Sequence, residues 1–165
     1  MGKYIAIFFG PMGCGKSHLG RHFSKSWNLE FVEGDEHLPD DMKARVGKFL
    51  PPSKDMLDRM VEKLKEEVAS TAMNAKYGVL VSQALYRNSH REELYQYFKA
   101  RGFNVDLLMI KVSWWQNIKN LWSRKRGFLW VLYWIISRPF FEKPIRGVIL
   151  DNNPPYPELH DQDKV

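Results

Sequence analysis

An apolar run, Tyr4-Ile5-Ala6-Ile7-Phe8-Phe9, leads directly into Gly10-Pro11-Met12-Gly13-Cys14-Gly15-Lys16-Ser17. That octet matches G-x-x-x-x-G-K-[ST], and residues 16–26 after it are compatible with a helix. A strand, a glycine-rich loop and a helix in this order leave few folds open. Gly10, Gly13 and Gly15 let backbone N–H groups converge on an anion where a Cβ would clash. The helix that begins at Lys16 adds the positive end of its dipole. Lys16 can reach the β- and γ-phosphates of a nucleoside triphosphate, and the Ser17 hydroxyl can ligate Mg²⁺. Residues 10–17, with His18 behind them, are therefore expected to hold ATP and its Mg²⁺.

The rest of the chain fits a sheet built around that loop. Strands are expected at 3–9, 29–33, 78–82, 105–112 and 147–150, and helices at 16–26, 54–75, 88–101 and 114–125. Leu57, Val61, Leu64 and Val68 recur at helical spacing, Ser53 precedes them as an N-cap, and Gly102 closes the 88–101 segment. Strands alternating with helices predict an α/β fold, a three-layer α/β/α sandwich with a five-stranded parallel sheet and a helical lid. At 165 residues the chain suits one domain. That domain is expected over 1–150 with its lid at about 120–144, and 151–165, rich in Asn, Pro and acids, reads as a surface tail. No stretch approaches the ~20 apolar residues of a membrane span. A single cysteine, Cys14, fits a reducing, cytoplasmic setting; it reads as a small residue of the loop and not a catalytic thiol, while its place at a helix N-terminus suggests reactivity toward thiol reagents.

Three further features bear on the reaction. Gly34-Asp35 ends the second expected strand, where ligands of open α/β sheets sit. A carboxylate there can accept a proton from an attacking hydroxyl or hold Mg²⁺ through water. Arg124-Lys125-Arg126 offers a mobile arginine to stabilise the transferred phosphoryl group. No Asp ends the third strand, which lowers the motor and switch readings; Gln83 and Arg91 follow it and can hydrogen-bond a polar or anionic acceptor.

The net charge of +6 is unevenly placed. Residues 107–141 contain no Asp or Glu but hold Lys111, Lys119, Arg124, Lys125, Arg126 and Arg138, together with Trp114, Trp115, Trp122, Trp130 and Trp134. A basic, aromatic segment of this kind can meet phosphates, nucleobases or an anionic membrane. Within it, 128–136 has no polar face at helical spacing and needs cover from the core, a second copy in a homodimer, or a membrane surface. Core packing or a dimer contact is the expectation favoured here over nucleic acid or membrane.

Taken together, the phosphate loop, Gly34-Asp35 with His37 and Pro39, Gln83-Ala84-Leu85 with Arg91, residues 120–128 and Glu142-Lys143-Pro144 resemble the gluconate kinase group of small P-loop kinases, relatives of shikimate and adenylate kinases. The resemblance implies that Arg124 is the lid arginine contacting ATP. It also implies that Asp35 lies beside the acceptor hydroxyl, with His37 and Gln83 near it and Arg91 facing the acceptor's carboxylate. Relative to that pattern the first lid arginine is Asn120, the lid histidine is Gly127, an asparagine is Met42, and the 36–58 region is altered.

The reading is an ATP-dependent kinase that transfers the γ-phosphoryl group to a hydroxyl of a sugar acid or similar small anionic metabolite. In it Lys16, Asp35 and Arg124 are catalytic, and Ser17 and Asp35 serve the metal. Two alternatives stay open: a nucleotide, nucleoside or polynucleotide 5′-hydroxyl kinase, and an ATP-binding regulatory or membrane-surface module that transfers phosphate to nothing.

Overall fold

A computed structural model describes residues 2–153. Five strands, β1 (Tyr4–Phe9), β2 (Glu30–Glu33), β3 (Gly78–Gln83), β4 (Asn104–Lys111) and β5 (Val148–Asp151), form one sheet in the order β2-β3-β1-β4-β5. Every pairing is parallel. Helices α1 (Lys16–Ser26), α2 (Asp40–Gly47), α3 (Lys54–Asn74), α4 (Asn88–Lys99), α5 (Trp114–Trp122) and α6 (Gly127–Ser137) complete the three layers.

Strand periodicity sorts the core into two halves. Along β1, Ile5, Ile7 and Phe9 join a cluster with Val61, Leu64 and Val68 of α3 and Leu94 and Phe98 of α4. Ala6 and Phe8 point the other way, to Leu19 and Phe23 of α1. A central parallel strand covered on both faces must be apolar throughout, and β1 is buried from Ile5 to Phe9. The Ser53 Oγ accepts the Met56 N–H at 3.3 Å and caps α3. Gly102, at φ 82°, turns the chain out of α4.

The register brings the loops after β1, β2 and β3 to one rim. Phe9 pairs with Gln83, and Glu33 with Ser82, so Gly10, Gly34 and Ala84 leave the sheet side by side.

Where the sequence reading differs, the reason is packing. Helix α2 buries only Met42, so it carries no apolar period to detect. Helix α6 is apolar all round and also lacks a period. Helix α5 ends at Trp122, short of residue 125, because the chain turns sharply there. Arg126 takes φ 60°, and a Cβ on Gly127 would overlap the Trp122 carbonyl, so α6 starts hard against the end of α5. The expected surface tail starts too early: Asp151 completes β5 and Asn152 is buried. Residues 154–165 of that tail lie outside the described residues.

Candidate active site

The loop at the carboxyl end of β1 is shaped by its glycines and clamped from behind. Gly13 and Gly15 take φ 82° and 91°, which residues with a Cβ rarely adopt. Added Cβ atoms there would also collide with Asn117 Oδ1 and Asn152 Nδ2 respectively. Asn120 Nδ2 donates to the Gly13 carbonyl and Asn152 Nδ2 to the Cys14 carbonyl, each at 2.9 Å. Gln116 Nε2 donates to Asn120 Oδ1 at 2.9 Å and fixes its orientation. With the Gly13 and Cys14 carbonyls tied to the asparagines, the loop N–H groups other than that of Cys14, which donates to the Pro11 carbonyl at 3.4 Å, are left for an anion. Lys16 Nζ bridges back to the Pro11 carbonyl at 3.0 Å.

Beside Lys16, the Ser17 Oγ donates to Glu33 Oε1 at 3.0 Å and lies 3.5 Å from Ser82 Oγ. Glu33 Oε2 takes an ion pair from Arg21 at 3.2 Å. Burial raises the Glu33 carboxyl above its ordinary value, and the nearby Asp35 charge pushes the same way. A hydroxyl and a carboxylate side by side at the phosphate loop fit Mg²⁺, a hard cation that takes oxygen ligands. Among the described residues no group of three or more His, Cys, Asp or Glu could hold a metal alone, so phosphate oxygens would have to complete its shell.

Above the rim lies a cavity of about 790 Å³. Met12, Gly13, Gly15, Lys16, Ser17 and His18 line its donor end, and Asp35, Gln83 and Arg124 also face it. Gln83 is buried; its Oε1 accepts the Ala84 N–H at 2.6 Å, while its Nε2 has no partner within the protein. A buried donor left free on a cavity wall favours a ligand that supplies an acceptor. Of the remaining loop residues, Gly10, Pro11 and Cys14 support the loop and do not line the cavity.

Three expectations need correction. Arg91 does not face the cavity. It is 2 % exposed, and its guanidinium donates to the Leu85, Tyr86 and Glu142 carbonyls and to Asn88 Oδ1 at 2.7–2.9 Å. It is sandwiched by the Phe9 and Phe141 rings at 4.8 and 4.9 Å, and burial lowers its pKa to about 10. The Glu142 carboxylate in turn accepts the Asn88 N–H at 2.6 Å, so Arg91 and Glu142 stitch the end of the lid to the start of α4. His37 also lies outside the cavity lining; its Nδ1 sits 3.6 Å from Glu67. Cys14 is fully buried, and that burial pushes its thiol pKa up against the opposing pull of Lys16, contrary to the reactivity its position suggested.

Glu33, Asn120 and Asn152 were missed, as were Lys43 and Arg87, two cations on the cavity wall. Glu33 had a signal, because it ends β2 one residue before Gly34-Asp35. Asn120 had one too, because it stands where the resemblance has an arginine.

A five-stranded parallel sheet in this order, a G-x-x-x-x-G-K-S loop after its central strand and an arginine-bearing helical lid together make the fold of a small P-loop kinase. A family model described as an AAA domain matches residues 5–127, and the chain belongs to that family. No curated protein matches it significantly. Among solved structures it is similar to a gluconokinase from Sinorhizobium meliloti at 20% identity and TM-score 0.71, over 90% of this chain and 82% of that one. A sugar kinase from Janibacter sp. matches at 17% identity and TM-score 0.71, over 90% and 85%. The APS kinase of Mycobacterium tuberculosis, in complex with AMPPNP and APS, matches at 15% identity and TM-score 0.57, over 92% and 88%. At these identities the likeness is one of fold.

Proposed function

We propose that this protein is an ATP- and Mg²⁺-dependent phosphotransferase acting on a hydroxyl of a small anionic acceptor. The observation that carries the reading is the shared cavity: the phosphate loop, Asp35, Gln83 and Arg124 all line one space. The likeness in fold to a gluconokinase, a sugar kinase and an APS kinase supports it. Lys16 and the loop N–H groups hold the triphosphate, and Arg124 closes on the phosphoryl group as charge develops. Ser17 and Glu33 would hold Mg²⁺, with Asp35 reaching it through water; bound there, the ion neutralises charge on the β- and γ-phosphates. Asp35, exposed at the rim, orients the acceptor hydroxyl and takes its proton.

Charge and shape narrow the acceptor. The cavity wall carries Lys16, Arg21, Lys43, Arg87 and Arg124 against Asp35 as its one acid. The triphosphate occupies Lys16 and Arg124, and Arg21 is paired with Glu33. Lys43 and Arg87 then remain for an acidic group on the acceptor, the place first given to Arg91. A sugar acid meets that charge. Leu38, Met42, Val46, Leu57 and Met60 line the same cavity and favour an acceptor that also shows a hydrocarbon face. An ATP-consuming enzyme with a buried free thiol suits the cytoplasm.

The test is acceptor-dependent ADP formation across a panel of sugar acids, other hydroxy acids, nucleosides and 5′-hydroxyl oligonucleotides. Turnover with a hydroxy acid, reduced by Arg87→Ala mainly through acceptor KM, is expected. Tight ATP binding with no transfer to any acceptor would overturn the assignment in favour of a regulatory module.

A further inference from the structure

Helix α6 is turned inside out relative to an ordinary surface helix. Its polar atoms face inward: Tyr133 and Ser137 are buried and, with Trp130, line the cavity. Its outward stripe is Phe128, Leu129, Leu132, Ile135 and Ile136, at i, i+1, i+4, i+7 and i+8, each 38–59 % exposed. Core packing, one of the two covers favoured from the sequence beside a dimer contact, therefore accounts for only the inner half of this helix. Trp115 and Trp122, more exposed still, extend the patch along α5, and Trp122 meets Phe128 edge-on at 6.3 Å. An exposed apolar patch of this continuity marks an interaction surface.

The charge around the stripe identifies what covers it. Lys119, Lys125, Arg126 and Arg138 bracket it along the chain, all of them exposed, and residues 107–141 contain no acid. A second copy docked on the same face would oppose two sets of cations with no carboxylate between them. Single-stranded nucleic acid would meet the charge, but its bases stack on aromatic faces, whereas the middle of the stripe is aliphatic. A surface that offers hydrocarbon behind a layer of negative charge satisfies both halves of the patch. Tryptophans at the border between the two suit the headgroup level. Among the described residues no helix is long and apolar enough to cross a membrane, and α6, with 11 residues, spans about 16 Å against a hydrocarbon core of ~30 Å.

We propose that the outer face of α5 and α6 docks on an anionic membrane surface, with α6 lying in the interface plane. The inner face of α6 stays on the cavity, so the docked helix is also one wall of the candidate active site. The docking rests on the exposed stripe and its cations and stands whichever acceptor the site takes.

Vesicle flotation of the full chain tests this. With vesicles of phosphatidylcholine and about 30% phosphatidylserine the protein floats, with pure phosphatidylcholine it floats about tenfold less, and about 0.5 M NaCl releases most of it. Leu132→Glu/Ile136→Glu and, separately, Lys119→Glu/Lys125→Glu each lower flotation on the order of tenfold, with ATP affinity and melting temperature unchanged. Brominated acyl chains quench the tryptophan fluorescence of the unaltered protein, a readout independent of how the variants fold. The proposal is overturned by absent flotation on phosphatidylserine vesicles, by equal flotation on neutral ones, or by absent quenching. It is equally overturned by a dimer that Leu132→Glu/Ile136→Glu dissociates, or by oligonucleotide binding, where either occurs without vesicle binding.

Discussion

Replacing Arg91 separates two roles that the sequence leaves alike. The guanidinium makes four hydrogen bonds, three of them to the carbonyls of Leu85, Tyr86 and Glu142. Arg91→Met keeps the stem between Phe9 and Phe141 but takes the donor from the Leu85 and Glu142 carbonyls, while the Tyr86 carbonyl keeps the Glu142 N–H at 2.8 Å. A buried acceptor left unpaired costs about 1–3 kcal/mol, and removing a buried charge returns part of the sum. The net loss is on the order of 2–4 kcal/mol. For a chain of this size each kcal/mol lowers Tm by about 2–4 °C, so a drop of roughly 4–16 °C is expected. Thermal unfolding followed by circular dichroism reads it. Arg91→Lys recovers only part, because an ammonium cannot span four acceptors in one plane. A Tm within about 2 °C of wild type, with acceptor KM raised about tenfold or more, would refute this reasoning and return Arg91 to the acceptor site.

Other consequences follow from single side chains. Burial raises the Glu33 pKa above its ordinary 4.5, so the folded state holds that proton more tightly than the unfolded chain. Stability is then lost as pH rises through the raised value; Glu33→Gln has no proton to lose, so its Tm relative to wild type should climb as pH rises above about 4.5 and level off once Glu33 is ionised. A constant Tm difference over that window would contradict it. Cys14, fully buried with its pKa pushed up, should label with a thiol reagent about a hundredfold more slowly than a free thiol until the protein is unfolded; rapid native labelling would show an open loop. Asn120→Ala removes the donor to Gly13 and should weaken ATP binding about tenfold, the equivalent of one hydrogen bond, as titration calorimetry would show.

The sequence made the sheet and the donor site readable because both rest on local rules. Apolar runs broken by glycines at 10, 34 and 102 mark where strands and helices stop, and the phosphate loop needs its residues at fixed spacing. Helix α6 escaped because periodicity requires a polar face and Phe128-Leu129-Trp130-Val131-Leu132 has none. Arg91 was misread because an arginine after a strand end has the same local pattern whether it faces solvent or a set of backbone carbonyls. Only the return of the chain at Glu142, 51 residues later, decides between them. Asn152 was hidden by its setting, since Asn-Asn-Pro-Pro reads as a tail, yet its amide holds the loop at Cys14 across 138 residues. The resemblance marked Glu142 and Asn120 as positions of note; the structure gives both a purely positional chemistry, one capping α4 and the other tying down Gly13.

Under the proposed function, Asp35 and the phosphate loop act on one acceptor in one cavity. Steady-state transfer from γ-labelled ATP to the acceptor identified by the panel, measured for wild type, Lys16→Ala and Asp35→Asn, tests it most directly. Lys16→Ala is expected to abolish transfer. Asp35→Asn is expected to lower kcat by about 10²–10⁴ while ATP affinity changes less than about twofold. Near-normal kcat in Asp35→Asn would contradict it.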